Sequence, residues 1–160
     1  MRRLSMRARY GTGVFLYKIL NDVLIISNNA KKIEDFRFFN FDEITTVKIP
    51  ESIESIGDSA FACCYQLTNI IIGENVKTIE NQAFSHCYEL KSITFPPCLT
   101  SIGNEAFRSC INLSSVIFVA DIKEIGNFAF YRCPKVIINA PAGSEIEKYA
   151  KRNNLKFNAL

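Results

Sequence analysis

Cys63, Cys64, His86 and Cys87 are the residues with the most chemistry to offer in this sequence. Three thiols and an imidazole make a donor set that tetrahedral zinc accepts, and a thiol beside an imidazole is the raw material of a cysteine nucleophile. The spacing argues against both. Cys64 and Cys87 lie 23 residues apart, and the same step leads on to Cys110 and Cys133, which have no comparable partners. His86 is the sole histidine, and its counterparts at that step are Cys63, Ser109 and Arg132. A position that changes identity in each copy reads as solvent-facing and unselected for chemistry, and no nucleophile with a positioned partner can be named around it. The regularly spaced cysteines read as small, nearly apolar side chains in a tight inward position. Metal ligation and a disulfide are the minor alternatives. Rungs about 4.8 Å apart lie within a disulfide's Cα range, but ladder side chains point the same way and a regular stack needs no bridge. Six free thiols would suit a reducing compartment or an anaerobic surface.

Other chemistries leave no trace. There is no glycine-rich phosphate loop, no paired-carboxylate motif and no recognition-helix pattern. The basic and aromatic residues from Lys32 to Phe41 keep register with later copies, so they read as core and not as a nucleic-acid surface. A net charge of +3 owes much to Arg2, Arg3, Arg7 and Arg9, which read as a frayed basic tail over residues 1–10. The sequence thus predicts no catalytic residue, no metal site, no cofactor, no nucleic-acid partner and no enzyme. No apolar run approaches the ~20 residues that span a bilayer, and no signal-peptide pattern follows the basic start, so neither membrane insertion nor secretion is expected from these residues. A missing upstream segment would leave the same picture.

The elements that position these residues form a repeat. Ala-Phe recurs at 60–61, 83–84, 106–107 and 129–130, a step of 23 residues each time. Cysteine follows three residues after each phenylalanine, and Leu67, Leu90, Leu113 and Val136 three after that. Ile56, Ile79, Ile102 and Ile125 precede them in register. One step back from Phe61 is Phe38, with Ile33, Phe41 and Ile44 in the places of the ladder Ile, Cys and Leu, a degenerate fifth copy. Before it the register dissolves into two β-rich runs joined by Asn21-Asp22, which predicts a hairpin over residues 11–32. After it, Ser144 and Glu147 form a capping-box pattern, and Ile146, Tyr149 and Ala150 follow at helical spacing. Both ends read as caps on a solenoid of about five repeats spanning 33–141, with the helical cap at 142–160.

A 23-residue coil has no interior of its own, so Ile70, Ile72, Phe84 and their equivalents are buried only by stacking copies. The runs from Leu67, Leu90 and Leu113 end with period 2 and predict short strands, which line up one repeat apart as a parallel ladder. Phe61, Phe84, Phe107 and Phe130 then form an internal aromatic column. The fold class is a β-rich α/β solenoid with a parallel strand ladder, an N-terminal β-hairpin cap and a C-terminal helix.

These residues resemble the BspA-type leucine-rich repeat family, whose pattern is Leu-x-x-Ile-x-Ile-Pro followed by Ile-Gly-x-x-Ala-Phe-x-x-Cys. Ile44 to Pro50 with Ile56 to Cys64 matches it closely, and Ile102 to Cys110 repeats the second half. Glu80 departs from Gly, Gly73 and Val119 depart from Pro, and Val136 to Asn139 has lost the strand pattern. The resemblance implies a curved solenoid used for protein recognition, often in adhesion at cell surfaces. It points outside the cell, while the missing signal points inside.

If Leu67, Ile70 and Ile72 face inward, the alternate positions face out. Thr46, Asn69, Ser92 and Ser115 form one outward row; Lys48, Ile71, Thr94 and Ile117 form the next. This hydroxyl-rich, nearly uncharged face is the candidate binding surface for a protein partner of unknown identity, with Ile71 and Ile117 as its apolar points. The bland alternative is a solvated sheet with good strand formers, in a spacer segment of a longer surface protein. Glu54, Lys77, Thr100 and Lys123 form a mixed-charge row that serves solubility. A monomer is favoured.

Overall fold

The computed structural model describes residues 17–160; the basic tail and the first part of the expected hairpin region lie outside them. Two parallel ladders run the length of a solenoid. The longer sheet has eight strands: β1 (Tyr17–Leu20), β2 (Val23–Ile26), β4 (Thr46–Lys48), β6 (Asn69–Ile71), β8 (Ser92–Phe95), β10 (Ser115–Phe118), β12 (Ile137–Ala140) and β13 (Lys156–Ala159). The shorter has five two-residue strands: β3 (Lys32–Ile33), β5 (Ser55–Ile56), β7 (Thr78–Ile79), β9 (Ser101–Ile102) and β11 (Glu124–Ile125). Helix α1 (Glu145–Arg152) lies between β12 and β13.

The strands form where alternating side chains meet the core. In β8 the pattern is exposed, buried, exposed, buried, with Ile93 and Phe95 inside. Val47 pairs with Ile70 and Val116 with Ile93, so like residues stack on like across the ladder. The predicted aromatic column is present and begins one copy earlier. The rings of Phe38, Phe61, Phe84, Phe107 and Phe130 stack at centroid distances of 5.1, 5.2, 5.3 and 5.3 Å. Offset stacking of this kind contributes beyond area burial alone.

Three features differ from the sequence expectation. The register does not dissolve before residue 33: Val23, Leu24 and Ile25 pair in parallel with Thr46, Val47 and Lys48 at the same step. Buried Leu24 and Ile26 take the places of Val47 and Ile49, so β2 is both a hairpin strand and a ladder rung. Its turn is as expected, with Asn21 and Asp22 at φ 49° and 63° and β1 antiparallel to β2. Second, β12 has kept the alternation; the register with β10 is one residue short, Ser115 pairing with Ile137 and Val116 with Ile138. Val136 still fills the leucine place, and the deletion falls just after it. Third, the chain after α1 returns as β13, parallel to β12.

The helix begins as its capping box predicts. Ser144 Oγ accepts the Glu147 N–H at 3.2 Å, and the Glu147 carboxylate accepts the Gly143 N–H at 2.7 Å. Ile146, Tyr149 and Ala150 face the core.

Candidate protein-binding face

The histidine and cysteines separate into two structural roles. His86, Cys63, Ser109 and Arg132 all occupy left-handed backbone positions, at φ 62°, 61°, 60° and 59°. A second such position precedes each by four residues, at Gln82, Ser59, Glu105 and Phe128, and the same pair stands one copy earlier at Phe36 and Asn40. Non-glycine residues are uncommon there, and the strain is offset by hydrogen bonds to the next turn. Ser59, Phe61 and Cys63 donate their N–H groups to the carbonyls of Asn81, Ala83 and Ser85 at 2.9, 2.8 and 2.8 Å. The His86 position is thus defined by its backbone, which is why its side chain varies. The structure does add a neighbour that the sequence reading missed: Ser85 Oγ lies 2.8 Å from His86 Nδ1. Ser85 is 3% exposed, and neither residue lines the clefts described below. Burial and the nearby Arg108 hold the His86 pKa below its usual value.

The buried cysteines line the inner side of the same turn. Cys64, Cys87, Cys110 and Cys133 donate their thiol hydrogens to the carbonyls of Phe38, Phe61, Phe84 and Phe107, at 3.2, 3.3, 3.3 and 3.1 Å. Each thiol therefore satisfies a carbonyl in the turn before it, a role beyond filling space. Burial pushes the Cys64 thiol up to about 12 and raises Cys87 and Cys110 as well, which opposes the thiolate a nucleophile needs. All six cysteines are free thiols, Cys98 alone being exposed. No group of three or more metal-ligating side chains converges among the described residues.

The outward rows lie on the eight-stranded sheet as expected. Thr46, Asn69, Ser92 and Ser115 are direct register partners from rung to rung. In the second row Lys48 pairs with Ile71, and Thr94 with Ile117. Between Ile71 and Thr94 the pairing stops: β6 and β8 join only at Asn69 and Ser92. Where Ile49 donates its N–H to the Ile71 carbonyl at 2.9 Å, the equivalent bond from Ile72 to Thr94 is absent. The opening coincides with a change in the inward row from Ile49 and Ile72 to the bulkier Phe95 and Phe118, whose rings pack at 4.7 Å.

Over the parted rungs lies a shallow, open crevice of about 540 Å³. Asn69, Ile71, Ser92 and Thr94 line it, together with Ile72, Pro96 and Val119, which the sequence did not single out. Ile71 is 49% exposed at its edge. Ile117 differs from expectation in being half-buried. The neighbouring Asn139 lies over the sheet there, its amide donating to the Val116 carbonyl at 3.2 Å. The two isoleucines are therefore not equivalent, and Ile71 is the apolar point of this face. Thr46, Lys48, Ser115 and Ile117 lie outside the crevice on the same sheet.

On the adjoining edge the charged row starts one copy earlier than the sequence reading placed it. Glu54 accepts from Lys31 at 2.8 Å and from Lys77 at 2.7 Å. These two cations hold its carboxyl at about 2.

A parallel solenoid in which a long sheet alternates with a phenylalanine-and-cysteine turn is a leucine-rich repeat protein. The chain belongs to the BspA-type leucine-rich repeat family, whose repeat region matches residues 10–137 in six copies. Among solved structures it is similar to the T. pallidum leucine-rich repeat protein TpLRR, with 27% identity and a TM-score of 0.68 over 78% of this chain and 68% of that one. A leucine-rich repeat protein from Bacteroides ovatus is 26% identical with a TM-score of 0.62, over 87% of this chain and 46% of that one. The pneumococcal vaccine antigen PcpA shares the fold at 16% identity and a TM-score of 0.67, over 88% of this chain and 42% of that one. The chain thus spans less than half the length of the last two. No curated protein matches the sequence. Repeats of this family commonly serve in protein recognition. Among the described residues no helix is long and apolar enough to cross a membrane.

Proposed function

We propose that the chain is a protein–protein interaction module that engages its partner through the open face of the eight-stranded sheet, centred on the crevice between Ile71 and Thr94. The observation that carries this reading is the parted ladder. A regular parallel sheet offers a flat surface, whereas here two rungs separate at the residues of the outward rows. The crevice combines an exposed Ile71 with the hydroxyls of Ser92 and Thr94 and the amide of Asn69. An apolar centre rimmed by hydrogen-bonding groups suits a protein segment that seats one apolar side chain and bonds through its backbone. Adhesion at a cell surface is the setting that the family suggests.

Crosslinking capture from the native source tests this, comparing the wild-type chain with an Ile71→Asp/Ile117→Asp variant shown by circular dichroism to be folded. A partner held by the wild type and lost by the variant supports the sheet face. Equal capture by both chains, or none by either, leaves the module as a spacer or a binder through another surface.

A further inference from the structure

The last turn of the outer ridge leaves hydrogen-bond donors open. In inner turns three alternate N–H groups, for example those of Ser59, Phe61 and Cys63, donate to carbonyls of the following turn. The equivalent donors of the last turn are Phe128, Phe130 and Arg132. Helix α1 covers the middle one: Tyr149 packs edge-on against Phe130 at 6.3 Å, and its phenol oxygen faces the Phe130 N–H. The N–H groups of Phe128 and Arg132 have no acceptor among the described residues. Open donors of this kind favour an oxygen acceptor, and an ionised one most.

The side chains around them add an apolar surface and unpaired positive charge. Phe128 and Tyr131 are 55% and 46% exposed and meet edge-on at 5.5 Å. The three turns before carry Ser59 and Ala62, Gln82 and Ser85, and Glu105 and Arg108 at these places, so the turn itself does not require an aromatic pair. Phe128 lines two clefts. One, of about 230 Å³, is lined also by Phe130, Leu155 and Arg132; the other, of about 470 Å³, by Ile125 and Arg152. Each cleft thus joins a residue with an open N–H to an arginine, Arg132 serving as both in the first. Both arginines are exposed, and neither has a carboxylate within ion-pair distance among the described residues. The acids nearby are already taken: Glu105 by Arg108 at 2.8 Å, and Glu145 and Glu147 by Lys148 and Lys151, each at 2.6 Å.

We infer that these two clefts bind an acidic segment of a protein partner, a carboxylate entering each cleft and an apolar side chain between them lying on Phe128 and Tyr131. Carboxylates answer the open N–H groups and the unpaired arginines together, whereas a neutral or basic segment answers the aromatic surface alone. Two acceptors held at a fixed separation by one chain suit two clefts that share a wall. The site is separate from the open face of the sheet and does not involve Ile71.

Selection from a phage-displayed library of random dodecapeptides on the immobilised full chain tests this, the enriched peptides being remade and measured by fluorescence anisotropy. They should carry two Asp or Glu residues a few positions apart with an apolar residue between them. Changing either acid to its amide, or Arg132→Ser or Arg152→Gln in the chain, should weaken binding about tenfold. Phe128→Gln should weaken it further. Ser109 and Gln82 hold the places of Arg132 and Phe128 in inner turns at φ 60° and 53°, so the backbone accepts both residues. The Ile71→Asp/Ile117→Asp chain should bind these peptides as the wild type does. Failure to enrich any peptide overturns the proposal, as do enriched peptides without acids or acidic ones indifferent to both arginine substitutions. Displacement of the peptides by equimolar inorganic phosphate would assign the clefts to a free anion, and self-association of the wild type that Phe128→Gln abolishes would assign them to a second copy. Either overturns it too. If Phe128→Gln unfolds, the two arginine variants decide the matter.

Discussion

The turn ridge and the sheet face repeat with the same 23-residue step, yet one is fixed at nearly every inward atom and the other is free. In the turn, the phenylalanine must stack on its neighbours, the cysteine must reach the carbonyl of the previous phenylalanine, and two residues must accept a left-handed backbone. Each requirement binds one copy to the next, so a substitution is felt by two turns. On the sheet, only the inward alternate residue is constrained. The outward position passes from Lys48 to Ile71, Thr94 and Ile117 without disturbing the register of the flanking rungs. The same backbone device that makes the array stable thus leaves one face on which side chains vary at little cost. That is where a recognition surface can be built on an otherwise invariant scaffold.

The sharpest way to break this comparison is to cut the aromatic column. Phe107 is fully buried between Phe84 and Phe130 and also meets Phe95 edge-on at 5.7 Å. Phe107→Ala should cost about 3–5 kcal/mol in urea unfolding. Thr94→Ala on the open face should stay within about 0.5 kcal/mol of wild type. Comparable losses at both sites would mean that the sheet face is as constrained as the turn.

A smaller effect separates the two roles of cysteine. Cys87→Ala removes one of two donors to the Phe61 carbonyl, which keeps the Cys64 N–H at 3.4 Å, at a cost of about 0.5–1.5 kcal/mol. Cys87→Ser keeps a donor in place and should recover part of the loss in the same unfolding assay. If alanine and serine are equally destabilising, the thiol only fills space. Thiol labelling of the folded chain offers a kinetic counterpart. Exposed Cys98 should react first, while Cys64, Cys87 and Cys110 wait for unfolding, since burial both shields them and raises their pKa values.

The contrast also explains what was legible in the sequence. The turn announces itself because its constraints select residue types: Ala-Phe and Cys at a fixed step cannot be mistaken, and they located the column, the ladder and the rows of the outward face. Where those markers are missing, the reading stopped early. Val23 to Ile26 follows a copy with Val14-Phe15 in place of Ala-Phe and Lys18 in place of the cysteine, so it read as a hairpin strand alone, although Leu24 and Ile26 fill the inward places of the next rung. Val136 to Asn139 appeared patternless because a single deleted residue shifts every alternate position by one, and a strand of period two then looks inverted. The crevice was illegible for a different reason. It arises where β6 and β8 cease to pair between Ile71 and Thr94, a matter of packing between strands, and each strand taken alone is regular. The direction of the thiol hydrogen bond is hidden in the same way, since spacing shows that a cysteine is inside but not what it touches.

The least expected loss lies at the border between the two regions, in the row of Lys31, Glu54 and Lys77. The Glu54 carboxylate accepts from both lysines, and this holds its pKa at about 2, below the ordinary carboxylate value of 4.5. A group whose pKa is lower in the folded state contributes stability above its unfolded pKa and loses it as the pH falls toward the folded one. The contribution of this row should therefore be whole at neutral pH and fade between about pH 4.5 and 2. Glu54→Gln should flatten that part of the stability curve in acid titrations followed by circular dichroism. All three side chains are open to solvent, so the difference between the two curves should be small and should shrink as salt is added. A difference that persists in high salt would mean that Glu54 helps hold adjacent turns together by something other than charge, and would bring this row closer in character to the turn than to the free face.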